Sequence, residues 1–380
     1  MKDTSDVSGN TATPAKHNDP ADPSAAPAAS RTPAGPVAPS AGAPRARNGK
    51  SAPTIYDIAA RAGVNPSTVS RALSKPGRVS AKTQKKIEDA AEALNYRVNV
   101  FARALPTGRT HSIGLIVSDI TDPAFFDVLR GAEAAASARS YTLMLAESTE
   151  SAELELTAAQ RMLATVDGII LASPRLSDAE IVELAQQKPV VVVNRLVDGV
   201  DSLVADTEAG VTEAVCHLSA QGHKSLAYVA GPDKSWMSKR RWESIRARCE
   251  WSGMNVTVVA SGVPTVDGGR RAAAAVRSSG ATAVFCYNDL MAIGLMRELQ
   301  LAGIKVPEDM SILGFDNIFG SDFTTPPLST IKSPLREAGD AAVRNILDKL
   351  YSPEPGASPG PLLTELVLRG SSGPAAGTAH

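Results

Sequence analysis

The chain has 380 residues, 43% of them hydrophobic and 21% charged, a composition typical of two or three globular domains. No stretch reaches the roughly 20 apolar residues that a membrane span needs, so we do not expect an integral membrane protein. Three widely separated cysteines without a CxxC pair argue against a disulfide scaffold or a zinc site, and we expect no metal or cofactor. The charged N-terminus leads into no apolar segment, which predicts no secretory signal and a cytoplasmic location.

The net charge of the chain is −1, but the charged residues are distributed unevenly along the sequence. Residues 1–50 carry a net charge of +2, residues 51–110 carry +6, and residues 111–380 carry −9. A small basic module joined to a large acidic body predicts one part that binds polyanions and one that does not. From charge alone, an ordinary solvated surface remains the alternative.

The two ends of the chain have compositions that do not support a core. The first fifty residues contain 12 Ala and 8 Pro but no aromatic residue, Leu or Ile. Such a segment cannot bury enough apolar surface to offset its chain entropy, so residues 1–52 are predicted to be a disordered tail. The Gly/Ala-rich residues 373–380 are predicted to be a second flexible tail.

Residues 53–97 show helical spacing of apolar side chains. Three helices are expected: Gly63 ends the first, Asn65 or Ser67 caps the second with Pro66 in its first turn, and Ser80 precedes the third. Short helices joined by tight turns predict the helix-turn-helix arrangement.

From residue 111 onward, apolar β-rich runs alternate with helical stretches such as 124–138 and 211–221. Repeated β-α units predict parallel, doubly wound sheets, and eleven strands predict two similar lobes with a ligand cleft between them. The predicted strands are 112–117, 141–145, 166–171, 189–193, 203–205, 225–229, 256–260, 283–287, 310–315, 328–331 and 365–368.

The segment from Thr54 to Leu73, TIYDIAARAGVNPSTVSRAL, strongly resembles the LacI/GalR family of bacterial transcription regulators. The resemblance covers roughly residues 54–372. It implies a two-lobed trunk similar in fold to periplasmic sugar-binding proteins, spanning 111–372, with one lobe at about 111–206 and 332–358 and the other at about 207–331 and 359–372. Later segments carry it further: VSAKT at 79–83, LNYRVN at 94–99, TGRT at 107–110, DPAFF at 122–126, VNR at 193–195, GHK at 222–224, AGP at 230–232, YND at 287–289 and GFDN at 314–317.

By this resemblance the second helix enters the major groove of duplex DNA, with its first residues facing base edges. Pro66 and Ser67 then help to choose the sequence, and Arg71, one turn later, can donate to a guanine in bidentate fashion. For Thr68 and Ser70, simple exposure or capping is the alternative to a DNA contact. The expected phosphate contacts, which fix register, are Thr54, Tyr56, Asn65, Thr68, Ser70 and Thr83.

Residues 98–110 resemble the family's hinge helix and following linker. Leu105 matches the leucine that the family inserts into the minor groove, and Asn99 and Ala102 precede it on the hinge. The chain departs from the family at Val98, where proline is common, and at Pro106, which can end the helix early. An ordinary interdomain linker is the alternative.

The resemblance also implies partners. The family dimerises through its large domain, so a homodimer on pseudo-palindromic operator DNA is expected, associated with the nucleoid when bound. Repression is the family's usual mode, controlled by a small molecule between the lobes. A sugar is the first expectation and a nucleoside or purine the second, and whether the effector releases or promotes DNA binding stays open.

Residues at or just beyond strand ends are the candidates for effector binding. Asn, Asp and Arg can bind neighbouring hydroxyls, and aromatic rings can cover the apolar face of a sugar. For Phe125 and Phe126 core packing is the alternative, and for Asp316 it is capping. The candidates are Asp119, Phe125, Phe126, Asn194, Trp236, Arg241, Asn288 and Asp316.

An enzyme and a sugar-binding protein of a transport system are the two alternative functional classes. An enzyme is disfavoured because the sequence has no GxGxxG after the first trunk strand, no GxxxxGK[ST], no GxSxG and no HExxH. Its histidines lack catalytic partners in the sequence, and His223, in a turn after Gly222, is predicted to make a structural hydrogen bond. A sugar-binding protein of a transport system would need export, and the basic helical head argues against it.

Overall fold

The computed structural model describes residues 53–74, 77–96, 108–352 and 362–377. The predicted tail at 1–52 and most of the predicted hinge lie outside these ranges. The described chain forms a small helical head and a large two-lobed trunk.

The head contains the three predicted helices: α1 (Ile55–Ala62), α2 (Pro66–Ser74) and α3 (Ala81–Ala93). Gly63 ends α1 with a φ of 66°, a left-handed conformation that glycine adopts without a steric penalty. Pro66 is the first residue of α2, where its missing N–H has no helical partner to lose. The Ser80 hydroxyl accepts the Thr83 amide at 3.2 Å and caps α3.

In the head, α2 has one buried side and one exposed side. Ile58, Val69 and Ile87, one from each helix, are fully buried against one another, with Ala59, Ala72 and Ala90 around them. On the opposite face of α2, Ser67, Ser70 and Arg71 are exposed to solvent.

The first trunk lobe is a parallel sheet in the order β2-β1-β3-β4-β5, with helices packed on both faces. Its Ile- and Val-rich central strands are buried on both sides, as parallel strands under helices are. Its elements are β1 (Ser112–Val117), α4 (Ala124–Ser137), β2 (Thr142–Glu147), α5 (Ala152–Leu163), β3 (Gly168–Ala172), α6 (Asp178–Gln187), β4 (Val190–Val193), β5 (Asp201–Leu203) and, after the second lobe, α11 (Leu335–Tyr351).

The second lobe has the sheet order β11-β10-β9-β8-β6-β7. Its core has one apolar cluster on each face of the sheet. Its elements are α7 (Thr207–Ala220), β6 (Ser225–Ala230), α8 (Trp236–Trp251), β7 (Asn255–Ser261), α9 (Val266–Ser278), β8 (Ala283–Cys286), α10 (Asp289–Leu301), β9 (Ser311–Asp316), β10 (Ser329–Lys332) and β11 (Glu365–Val367).

The chain passes from the first sheet to the second between β5 and α7 and returns between β10 and α11. In the first lobe, α11 packs closely against α4 at two glycines. A Cβ on Gly131 would lie 1.9 Å from the Arg336 carbonyl oxygen, and one on Gly339 would lie 2.1 Å from that of Val128. Glycine at these positions therefore sets the spacing of the two helices.

The predicted fold class is confirmed: all eleven strands occur, with boundaries shifted by a few residues at most. Two expectations need correction. The last strand, β11, pairs antiparallel with β10, because the chain reaches that sheet edge from the opposite end. Residues 373–375 of the predicted flexible tail are held in place, as is the preceding Ser371. The Ser371 hydroxyl donates to Ile312 O, and the Gly373 and Ala375 amides donate to Ser311 Oγ and Gln221 O.

Candidate functional site

Polar side chains of both lobes meet at the carboxyl ends of the strands, where parallel α/β sheets place their ligand sites. The first lobe contributes loops after β1, β2, β3 and β4, and the second contributes α8 and the residues after β8 and β9. We call this region the cleft. It is lined by Ser118, Asp119, Asp122, Phe125, Glu150, Ser173, Arg175, Asn194, Met237, Arg241, Pro264, Tyr287, Asp316 and Leu335, among others.

Two small cavities lie in the cleft. One, of about 30 Å³, lies between Asn194 and Ser173 of the first lobe and Arg241 and Asp316 of the second. The other, of about 20 Å³, lies beside Asp119, Glu150 and Arg175. Each has room for about one water molecule, so a larger ligand requires the lobes to move apart.

Arg241 and Asp316 form a buried, bidentate ion pair in the second lobe. Arg241 Nη2 donates to Asp316 Oδ1 at 2.5 Å and Nη1 donates to Oδ2 at 3.2 Å. The guanidinium lies 4.5 Å from the Phe315 ring centre and 5.0 Å from that of Tyr287. The Arg241 Nε is buried and has no hydrogen-bond partner among the described residues, so one donor of this side chain is available to a ligand.

A second ion pair lies on the first-lobe side. Arg175 Nη2 is 2.6 Å from Glu150 Oε2, and Arg175 Nη1 donates to the Ser173 carbonyl oxygen at 2.7 Å. The backbone amide of Arg175 donates to the buried Glu155 carboxylate, whose pKa is raised by burial. Arg175 is therefore held at both its backbone and its side chain.

Asp122 connects the lobes. It accepts hydrogen bonds from the Ala124 amide at 3.0 Å and from Asn288 Nδ2 of the second lobe at 3.3 Å. Burial raises the pKa of Asp122 to about 7, and the nearby charges of Asp316 and Asp119 add to the increase. This carboxyl can therefore gain or lose a proton near neutral pH.

Five of the eight predicted effector residues line the two cavities, and a sixth, Asn288, contacts Asp122. The other two do not line them. Phe126 lies on α4 with 39% of its surface exposed, while Phe125, one residue earlier, is the one that faces the cavities. Trp236 is the first residue of α8, and the following Met237 lines the cavity instead. Helical geometry points neighbouring side chains in different directions, which a motif alone does not resolve.

Sequence reasoning missed several cleft residues. Asp122 and Tyr287 belong to motifs that were already recognised, so their positions beside Phe125 and Asn288 were an available signal. Glu150 and Arg175 lie just after β2 and β3, and applying the strand-end rule to every strand would have found them.

The head exposes most of the predicted DNA-contacting residues. Thr54, Tyr56, Asn65, Ser67, Ser70 and Arg71 are exposed, and Pro66, Thr68 and Thr83 are half-buried. Two have local roles as well: the Thr54 amide and hydroxyl donate to the Asp57 carboxylate at 2.7 Å, and the Thr83 hydroxyl lies 2.8 Å from that of Ser80. The predicted hinge residues Asn99, Ala102 and Leu105, with Val98 and Pro106, lie outside the described residues.

No described helix has the length and apolar character to cross a membrane. The described residues contain no cluster of three or more His, Cys, Asp or Glu side chains suited to a metal ion. The predicted structural role of His223 is confirmed: Nδ1 lies 2.8 Å from Thr282 Oγ1, and Nε2 lies 3.0 Å from the Gly373 carbonyl oxygen.

Comparison with protein families gives two matches. Residues 54–99 match the family described as bacterial regulatory proteins, lacI family, and residues 215–372 match the periplasmic binding protein-like domain. The transcriptional repressor CytR of Escherichia coli K12 is 32% identical over 336 residues, which cover 86% of this chain and 98% of the relative.

Solved structures show the same similarity. The lac repressor dimer bound to operator and the anti-inducer ONPF superposes with a TM-score of 0.76 at 27% identity, covering 85% of this chain and all of the other. A complex of the transcriptional regulator CelR with cellobiose superposes with a TM-score of 0.62 at 27% identity, covering 84% and 99%. The similarity therefore extends over both the head and the trunk.

Proposed function

Because this chain belongs to the lacI family of bacterial transcription regulators, we propose that it is a repressor that binds operator DNA through residues 53–97 and a small effector in the cleft. The observation that carries the proposal is the combination, in one chain, of a trihelical head and a two-lobed trunk with polar side chains gathered between the lobes.

In the head, α2 is the recognition helix, which contacts base edges in the major groove. Its apolar side is buried through Val69 and Ala72, while Ser67 and Arg71 are exposed. Arg71 is assigned to a guanine edge and Pro66 and Ser67 to the neighbouring bases. Thr54, Tyr56, Asn65, Thr68, Ser70 and Thr83 are assigned to phosphates, which position the head without reading sequence. By the family resemblance, Asn99, Ala102 and Leu105 contact the minor groove.

The cleft takes the effector, with a sugar as the first assignment and a nucleoside or purine as the second. Asp119, Asn194, Asn288 and the Arg241–Asp316 pair supply hydrogen-bonding groups for adjacent hydroxyls. Phe125 supplies an aromatic face. The cellobiose complex of CelR, which is similar in structure, supports a sugar.

The functional unit is proposed to be a homodimer that binds a pseudo-palindromic site. The lac repressor structure similar to this chain is a dimer on its operator. The trunk has apolar surface available for such an interface: the edge strand β2 exposes Met144 and Leu145 by 36% and 38%. As a DNA-bound regulator, the protein is placed in the cytoplasm, at the nucleoid.

Helix α11 provides a route from the cleft toward the hinge. Its first residue, Leu335, lines the larger cavity, and at its other end the Leu350 carbonyl accepts a hydrogen bond from Arg109, the residue that follows Gly108. The Arg109 guanidinium also lies 4.4 Å from the Tyr351 ring centre. A change in lobe closure that shifts α11 therefore acts on the point where the trunk meets the hinge segment.

Operator binding is tested by selecting, from a pool of randomised DNA duplexes, the sequences that bind the full-length protein. We expect one enriched, pseudo-palindromic motif, and we expect heparin retention to be lost when the chain is truncated before residue 111. Failure to enrich any sequence, with or without sugars and nucleosides, would contradict the proposed function.

A further inference from the structure

The charges of the cleft suggest which chemical class of effector it accepts. The two arginines are each neutralised within the site: Arg175 by Glu150 at 2.6 Å and Arg241 by Asp316 at 2.5 Å. Only 4% and 5% of the two arginine side chains is exposed. A buried guanidinium held by its own carboxylate is not free to neutralise an incoming anion, because the anion would first have to break the existing pair.

Two carboxylates in the cleft have no such partner. Asp119 Oδ1 accepts hydrogen bonds from the Thr121 amide at 2.7 Å and hydroxyl at 2.6 Å. Asp122 accepts from Ala124 and Asn288, both uncharged donors. Across the described residues, neither aspartate takes part in an ion pair with lysine or arginine.

Asp119, together with Asp122 when it is ionised, therefore gives the cleft an excess of acceptors and of negative charge. Asp119 and Asp122 line the smaller cavity together, and Asp122 also lines the larger one beside Asp316. A phosphate or carboxylate in either cavity would be repelled by these groups in a partly desolvated site, where charge interactions are strong. Hydroxyl, amide and amino groups would instead donate to the same oxygens.

Resting on the proposed function, we infer that the effector is an uncharged, donor-rich molecule, a free sugar or a nucleoside, and that Asp119 and Asp122 reject its phosphorylated counterpart. The two aspartates act as specificity determinants, because they favour the neutral compound over a phosphorylated compound that is otherwise identical to it.

Matched ligand pairs test the inference on the full-length protein. Ribose and ribose 5-phosphate, adenosine and AMP, and cytidine and CMP are compared by thermal shift and calorimetry at pH 8, where most Asp122 is ionised, with inorganic phosphate as an anion control. We expect at least one neutral compound to bind and its phosphorylated partner to bind at least ten-fold more weakly. Inorganic phosphate should produce no shift beyond that of chloride at equal ionic strength.

A charge-neutralising variant sharpens the test. Asp119→Asn should reduce the affinity ratio between the neutral compound and its phosphorylated partner by three-fold or more. Asp127→Asn, at a half-buried aspartate on α4 that lines neither cavity, should leave this ratio unchanged. Equal or tighter binding of the phosphorylated compound, or of inorganic phosphate, would overturn the inference. So would the absence of binding by every neutral compound. Neither result touches the DNA selection, so the regulator assignment stands or fails separately.

Discussion

Asn288 of the second lobe donates a hydrogen bond from Nδ2 to Oδ2 of Asp122 in the first lobe, across 3.3 Å. Each partner is also tied to a helix of its own lobe: Asn288 Oδ1 accepts the Met291 amide in α10, and Asp122 Oδ1 accepts the Ala124 amide in α4. The bond therefore joins the N-terminal ends of two helices from opposite lobes. Lobe opening has to break it, which makes the protonation of Asp122 part of the energetics of the trunk.

Asp122 should make the trunk less stable as the pH rises. Its pKa is raised from 3.8 to about 7 in the folded protein, so between these values the folded state holds a proton that the unfolded state has lost. The stabilisation that Asp122 contributes is then fully present below about pH 4, falls as the pH rises toward 7, and is lost above it. The raised pKa corresponds to a loss of about 4 kcal/mol over that range.

The Asp122→Asn variant removes this dependence. The free energy of unfolding is measured with urea at pH 5 and at pH 8. Between these two pH values, that of the variant should rise by about 3 kcal/mol relative to that of the unsubstituted protein. Asp127→Asn, at a half-buried position on α4, serves as the control. If the free energy of unfolding depends on pH in the same way for Asp122→Asn and for the unsubstituted protein, the Asp122 carboxyl does not titrate between pH 5 and pH 8.

Breaking the Arg241–Asp316 pair should destabilise the trunk as well as abolish the effector response. Arg241→Ala leaves the Asp316 carboxylate buried without its counter-charge, at a cost of about 3–5 kcal/mol. The Arg241→Ala, Asp316→Ala double variant should lose less than the sum of the two single losses, measured by urea unfolding. Additive losses would mean that the two side chains are not energetically coupled.

Operator binding by Arg241→Ala should persist at temperatures where the trunk stays folded, because the substitution lies in the second lobe. A gel-shift titration with an effector identified by the thermal-shift panel should show no response up to concentrations that saturate the unsubstituted protein. An unchanged effector midpoint would remove Arg241 from the binding site.

Gly131→Ala should force α4 and α11 apart. The added Cβ would meet the Arg336 carbonyl oxygen, a backbone atom that cannot rotate away, so we expect a loss of about 1–3 kcal/mol in unfolding free energy. Gly262→Ala is the matched control, because its Cβ would meet no atom within 4 Å. If both variants unfold at the same denaturant concentration, the helix spacing does not depend on glycine.

Arg71→Ala should weaken operator binding by about 1–3 kcal/mol and relax specificity at one base position. The selected operator and single-base variants of it are compared by fluorescence anisotropy at fixed salt. Arg139→Ala, an exposed arginine of the trunk, controls for the change in net charge. An equal loss of affinity on random DNA would reassign Arg71 to a phosphate contact.

The sequence by itself determined the periodic and local features of the protein. Helical spacing, Gly63 and Pro66 set the limits of the head helices, and short runs of Val, Ile and Leu marked every strand of the trunk. These features depend on neighbours a few residues apart along the chain, and so they can be read without knowing the fold. The recognisable motifs added the family and its division into head and trunk.

Only the tertiary structure decided which side chains meet. Arg241 reaches Asp316 across 75 positions of sequence, and Arg175 reaches Glu150 from a different strand end. Met237, and not Trp236, lines the larger cavity, because of the direction in which α8 begins. Strand order and helix orientation fix such pairings, and neither leaves a signal in local periodicity, because pairing depends on how whole elements pack.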